Sequence, residues 1–295
     1  MPPELADRAL GIAEGRLSPA VPRDAATVIL LRPGSSGFGD PGAGVDTDPG
    51  VEAFLLVRTA ILDFAPGACV FPGGSVDDRD ADPEVGWAGP APAAIGDLLD
   101  VPPERARALI CAAIRETFEE SGVLLAGPSP GDLVQDSAEL ARDRHALLAG
   151  SVTFNEVLRR HQLLLRADLL TPWARWITPE ASPRRFDTWF FAAAVPPGQT
   201  AAVPSPAEQD QTGRERPGES ESGTWLEPAA ALAAARAGEI TLLPPTAATL
   251  GELAAYPDVA SIVARRRPIV PRLPEVVIEN GRARLHLPPA GEEQS

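Results

Sequence analysis

The chain has only two cysteines, Cys69 and Cys111, each in an apolar segment, which excludes a disulfide scaffold and makes both small core residues. Its three histidines, His145, His161 and His286, are scattered and offer no zinc-ligand spacing. Lysine is absent. Every basic side chain is arginine, which favours planar, bidentate phosphate recognition where one is well placed, although an Ala-, Pro- and Arg-rich composition also reflects coding bias. No run reaches the ~18 apolar residues that would cross a membrane. The N-terminus lacks a charged-then-apolar signal pattern, so the expected compartment is the cytoplasm, with no membrane partner. Positive charge is also scarce: the net charge of −15 argues against a nucleic-acid partner, which wants a basic surface. An acidic protein that handles anionic phosphates must then supply local arginine or a bound cation.

What is present is concentrated in two short stretches, Phe71-Pro-Gly-Gly74 and Arg115-Glu-Thr-Phe-Glu-Glu-Ser-Gly-Val123. The second lies on a strongly helical run from about Glu104 to Ser121. On a helix, Glu116, Glu119 and Glu120 stand at i, i+3 and i+4 and share a face, while Ile110, Ile114 and Phe118 fall opposite and anchor the helix to a core. Gly122 follows as a helix stop. Three like charges on one turn repel, by roughly 0.2–0.5 kcal/mol per i,i+4 pair, and a divalent cation would reverse that. Carboxylate oxygens are hard donors that suit Mg²⁺ or Mn²⁺, ions usually shared between a few carboxylates and substrate phosphates. Taken alone, the same spacing also describes a solvated acidic face in which Arg115 pairs with Glu119.

Gly74 through Val123 resembles the Nudix box. Arg115, Glu116, Glu119, Glu120, Gly122 and Val123 match its second half, with Thr117 in an aliphatic slot, and Gly74 matches its start behind Phe-Pro-Gly. Two departures stand out: Asp80 occupies a position the box gives to Glu, and 34 residues rather than seven separate Asp80 from Arg115. An insertion at this point is a feature shared with the acyl-coenzyme A diphosphatase branch. The resemblance implies an α/β Nudix fold, a mixed β-sheet sandwiched between α-helices. It implies Mg²⁺- or Mn²⁺-dependent hydrolysis of a diphosphate linkage in a small nucleoside diphosphate derivative, with coenzyme A or acyl-coenzyme A first. NADH, ADP-ribose or another dinucleotide is the alternative, as is a sensor that binds a nucleotide without cleaving it. It implies Glu116, Glu119 and Glu120 as metal ligands, with Arg115 positioning Glu119. Either Glu116 or a further acid from the 196–222 loop, Glu219 first and Glu221 next, would be the base. Gly73 and Gly74 would let the backbone approach the phosphates. A homodimer is allowed.

The expected organisation is a leader over 1–22, a Nudix domain over 23–256 with an insertion at about 81–103, and a C-terminal extension over 257–295. Strands are expected at 27–32, 51–58, 171–178 and 186–193, and helices near 138–149, 154–161, 229–237 and 247–255, the last capped by Thr246. Asp100 should cap the helix that begins at 104. The insertion is expected to be ordered around Trp87 and Ile95–Leu99. Arg184 and Arg185 either contact substrate phosphate or order their hairpin by pairing with Asp187. Trp173, Trp176 and Trp189 are expected in the core, Arg265-Arg-Arg267 on a solvated face, and 275–279 with 282–287 as a hairpin about Asn280-Gly281.

Overall fold

The aliphatic run of strand β1 (Arg23–Pro33) is buried on both sides, Val28 and Leu30 facing one core and Ile29 and Leu31 the other. That double burial makes it the middle of a sandwich. The computed structural model describes residues 3–34, 50–59, 67–203, 220–279 and 282–286. Among them the elements run α1 (Pro3–Ala13), β1, β2 (Val51–Arg58), β3 (Ala68–Val70), β4 (Gly73–Ser75), a 3₁₀ turn at Asp78–Ala81, β5 (Trp87–Ala88), α2 (Pro92–Leu99) and α3 (Pro103–Ser121). There follow β6 (Ala126–Gly127), α4 (Ala141–Leu148), α5 (Phe154–Arg160), β7 (Leu164–Arg166), β8 (Thr171–Ile177), β9 (Phe186–Ala194) and β10 (Ser220–Leu226). Helices at Pro228–Ala237, Pro244–Leu253 and Val259–Val263, short strands β11 (Thr241–Leu242) and β12 (Pro271–Arg272), and the hairpin β13 (Glu275–Glu279)–β14 (Arg282–His286) complete the described residues. No described helix is long and apolar enough to cross a membrane.

The main sheet is mixed: β9 runs parallel to β1, β8 antiparallel to β9, and β2 antiparallel to β1. The register holds one decisive detail. Ala53 of β2 pairs with Leu31 of β1 on one edge and Leu226 of β10 on the other, whereas Leu56 pairs with Val70 of β3 and Gly223 of β10. Thus β1 and β3 share one edge of β2. Likewise β4, through Gly73 opposite Thr27, shares an edge of β1 with β2. β1 and β2 therefore pair at one end and splay at the other, and the segment Phe71-Pro72-Gly73-Gly74 fills the wedge. A methyl on Gly73 would stand 2.5–2.6 Å from the Ala26 carbonyl and Thr27, so the wedge admits glycine there.

Helix α3 lies on one sheet face, where Leu109, Ile110, Ile114 and Phe118 join the larger core with α2, which buries Ile95 and Leu99. Its start is fixed by a charge cluster: Arg105 bonds Asp24 at 2.6 and 2.9 Å and Asp187 at 2.8 Å, and Arg175 bonds Asp187 twice. Burial opposes the Asp187 charge, yet the Arg175 and Arg105 bonds outweigh it and hold that carboxyl below its ordinary range. The opposite face carries the three late helices, with Ala231, Leu250, Leu253 and Ile262 in the second core beside buried Trp173 and Trp176. Cys69 and Cys111 are both buried and free.

Several expectations change. Asp100 ends α2 in a left-handed conformation, φ 53°, while α3 begins at Pro103 with no side-chain cap. Thr246 sits inside the first turn of the Pro244–Leu253 helix, whose cap is Leu243. The end of the 196–222 stretch is strand β10, paired along β2. Of the arginine triplet, Arg266 and Arg267 are exposed as expected, Arg267 bonding Glu252 at 2.7 Å, whereas Arg265 is drawn in 3.9 Å over the Trp173 ring. Residues 259–272 continue the sandwich, since Ile262 is core and β12 pairs with β8.

Candidate active site

Helix α3 ends at Gly122, φ 74°, whose N–H closes the last turn on the Phe118 carbonyl. A glycine adopts that left-handed conformation at little cost. With Ile114 and Phe118 fully buried, the face carrying Glu116 and Glu120 turns to β4. Glu120 accepts the Gly73 N–H at 2.8 Å. Glu116 packs so closely on Gly74 that a methyl there would meet its carboxyl atoms at 2.5–2.7 Å. The two glycines of the wedge thus contact two of the three helix carboxylates directly.

Arg115 lies at the centre. Its guanidinium donates to Asp80 at 3.0 and 2.9 Å, to Glu116 at 2.6 Å, to the Ser75 carbonyl at 2.9 Å and, more weakly, to Glu119 at 3.4 Å. Asp80 is 2% exposed and also closes a capping box with Asp77. The expected Arg115–Glu119 pair is therefore the weakest of these contacts, and Asp80, just before the insertion, supplies the main partner. Burial opposes the Arg115 charge, but its bonds to Asp80 and the nearby carboxylates hold it above its ordinary value. Burial acts oppositely on Glu116: helped by the charges of Glu119 and Asp80, and against the pull of Arg115, it pushes that carboxyl up to about 7.

The donor set is all hard oxygen, with one cation among Asp80, Glu116 and Glu119, and this surplus of negative charge fits Mg²⁺ or Mn²⁺. Among the described residues, however, no three His, Cys, Asp or Glu side chains converge as a ready-made metal site. Glu116 and Glu120 are each committed to a separate donor, which is how like charges on one helical face are accommodated.

Beside them opens a cavity of about 150 Å³, with Asp80, Arg115 and Glu119 on one side and Thr153, Phe154 and Asn155 on the other. Asn155, buried, donates to the Arg79 carbonyl at 2.8 Å and ties this wall to the 3₁₀ turn before the insertion. Sequence reasoning missed this wall; the only local signal was the Thr153–Glu156 capping box at the start of α5.

Arg185 does not belong to the site. It is buried and donates to the Thr178 and Ala20 carbonyls, tying the β8–β9 turn to the chain before β1. Arg184 is exposed in the same turn, and Asp187, its suggested partner, is taken by Arg175 and Arg105. This turn adjoins the sheet end where α3 starts, about 16 Å of helix rise from Glu116. The Arg185 guanidinium is thus spent on two backbone carbonyls rather than on Asp187. Glu219 lies outside the described residues.

Comparisons with known proteins bear on the fold and the family. A chicken (Gallus gallus) protein named acyl-coenzyme A diphosphatase NUDT19 is 28% identical over 263 residues, covering 76% of this chain and 65% of that protein. A human (Homo sapiens) protein of the same name is 33% identical over 230 residues, 61% of this chain and 58% of that one. The chain thus spans about three fifths of the length of these relatives. The crystal structure of a NUDIX hydrolase from Alicyclobacillus acidocaldarius superposes with a TM-score of 0.62 at 24% identity, over 84% of this chain and 98% of that one, which speaks for the fold. A family model described as the NUDT19 Nudix domain matches residues 92–253, more than half of the chain, and this chain belongs to that Nudix family.

Proposed function

We propose that the protein hydrolyses a diphosphate linkage in a nucleoside diphosphate derivative, with coenzyme A or an acyl-coenzyme A as the first substrate. The observation that carries this is Arg115 gathering Asp80, Glu116 and Glu119 at the mouth of an open cavity, with Gly73 and Gly74 against the same helix. The substrate follows from the names of the chicken and human relatives.

Glu116, Glu119 and Glu120 would hold Mg²⁺ or Mn²⁺, which when bound neutralises diphosphate charge and makes water a better nucleophile at neutral pH. The rest falls to the chain. Arg115 fixes the Glu116 carboxyl at 2.6 Å and offsets its repulsion with Glu119. Glu116, bonded to Arg115 at the same cavity mouth, is the first candidate to take a proton from the attacking water. Glu219 is the alternative base. The cavity beside Glu119 receives the group next to the scissile bond, and positioning of this kind supplies most of the rate in phosphoryl chemistry.

The test is incubation with Mg²⁺ and separately with coenzyme A, an acyl-coenzyme A, NADH and ADP-ribose, products being resolved by chromatography. Coenzyme A should yield adenosine 3′,5′-bisphosphate and phosphopantetheine, and EDTA should stop the reaction. Undiminished turnover in EDTA sinks the mechanism, and binding without turnover of any substrate replaces it with the sensor. NADH or ADP-ribose cleaved in preference changes only the substrate.

Gly74→Ala probes the wedge. Its backbone suits alanine, but the methyl must drive the Glu116 carboxyl aside, an easy move for the end of a flexible side chain. Turnover should fall by about 10²-fold, with the melting midpoint within a few degrees of wild type. Wild-type turnover would show that the Glu116–Gly74 contact is incidental.

A further inference from the structure

The C-terminal end of α3 is held by a device outside the Nudix motif. The last carbonyls of any helix lack partners within it. Here Arg144, on α4, donates from Nε to the Glu119 carbonyl at 3.0 Å and from Nη2 to the Ala202 carbonyl at 3.1 Å. Ala202 in turn donates its N–H to the Ser121 carbonyl at 2.8 Å. Three residues earlier, the buried amide of Gln199 bonds Leu124 in both directions, at 2.8 and 3.0 Å, and reaches the Val134 carbonyl at 2.7 Å. The strap 199–202 after β9 is thus laced to the residues just past the glutamates, with one guanidinium spanning strap, α3 and α4.

Gly122 gives a second observation. A Cβ there would stand 2.9 Å from Arg144 Nη1. The left-handed backbone alone explains a preference for glycine, yet asparagine also tolerates that conformation. Any side chain there would have to push the Arg144 guanidinium off its place. A cation at this helix end also complements the partial negative charge of the terminal carbonyls.

We propose that Arg144, supported by Gln199, is a positioning residue for the hydrolysis proposed above: it fixes the Glu119–Ser121 end of α3 against the strap, so that Glu119 meets the cavity beside Arg115. The inference rests on that functional reading, and the bond that carries it is made to the carbonyl of Glu119 itself. A simple helix cap would affect stability alone, whereas a positioning residue affects the rate of folded enzyme.

The experiment compares full-length wild type with Arg144→Ala, Arg144→Lys and Gly122→Asn, on whichever substrate the wild type cleaves, at saturating Mg²⁺. Arg144→Ala should lower kcat about 30-fold with KM within about twofold. Arg144→Lys, with its single donor group, should recover part of the loss. Gly122→Asn, which displaces the guanidinium from a tolerated backbone, should match Arg144→Ala. An unchanged kcat, or a loss of rate that only tracks the folded fraction, overturns the proposal. A second arm needs no turnover: amide hydrogen exchange in metal-free protein should quicken at least about tenfold at Leu124 and Ala202 in Arg144→Ala, with β1 amides unchanged. Unaltered exchange at those two amides overturns the clamp whether or not the wild type proves to be a hydrolase, so the two readings fail separately.

Discussion

Glu116→Gln is expected to lower kcat/KM about 10³-fold and, in the same molecule, to raise the melting midpoint of the metal-free protein at pH 8. Both effects come from one carboxyl. Its burial against Gly74, beside Glu119 and Asp80, raises its ionisation from 4.5 to about 7 despite the Arg115 bond. A group whose folded-state value is raised gives stability that is fully present below the unfolded value and lost as pH climbs through the folded one. The ionised Glu116 therefore weakens the metal-free fold progressively between about pH 4.5 and 7, by an amount on the order of 3 kcal/mol above that window. Glutamine keeps the shape, cannot ionise and still offers Arg115 an oxygen, so the penalty disappears. The gain should be several degrees at pH 8 and none at pH 4.5, read by thermal melts in EDTA across that range. Catalysis moves the other way because the same carboxylate is proposed to help hold the cation or to take the proton, and losing one such group costs about 10²–10³-fold in rate. A variant that is inactive but no more stable at pH 8 would show that Glu116 carries no strain. One that is more stable yet fully active would remove Glu116 from the chemistry.

The features legible in the sequence are those whose cause is local. α3 could be read because its apolar and acidic positions repeat at helical spacing, and Ile110, Ile114 and Phe118 are indeed buried. β2 matched its expected span because eight residues of apolar character suffice to state a buried strand. Phe71–Gly74 stood out by composition, and the wedge between β1 and β2 gives the reason. What stayed hidden depends on partners far along the chain. β10 begins Ser-Glu-Ser-Gly, which carries no strand signal; its ladder comes from β2, more than 150 residues earlier. Arg184 and Arg185 drew attention as a pair of cations in a turn, but only the sheet register places that turn at the wrong end of α3. Arg265 read as exposed because nothing nearby in sequence announces the Trp173 ring it covers. Asp80 was read as a substitute for a motif glutamate, and its pairing with Arg115 across the insertion was not.

That pairing supports the second large prediction. Arg115→Ala should destabilise the protein by about 3–5 kcal/mol, the usual cost of removing one partner from a buried ion pair. Both Asp80 oxygens depend on Arg115, one at 3.0 and one at 2.9 Å, with the Asp77 N–H as a further donor, and the side chain is 2% exposed. Without the guanidinium, a buried carboxylate keeps only the Asp77 N–H and the Cys111 thiol as donors and loses its countercharge. The damage should then depend on Asp80 being charged, which a double-mutant cycle can measure. Asp80→Asn in the Arg115→Ala background should recover a large part of the loss, giving a coupling energy of about 2 kcal/mol or more in denaturant titrations. Simple additivity would mean that Arg115 stabilises through packing alone. The cycle also bears on the insertion: Asp80 stands at its entrance, and the Asn155 bond to the Arg79 carbonyl ties the cavity wall to the same turn. If the coupling is found, the ion pair that orients the catalytic helix also sets where the inserted segment leaves the site. An insertion can then lengthen the motif without displacing Glu116 or Glu119, because Asp80 and Arg115 meet across it whatever lies between.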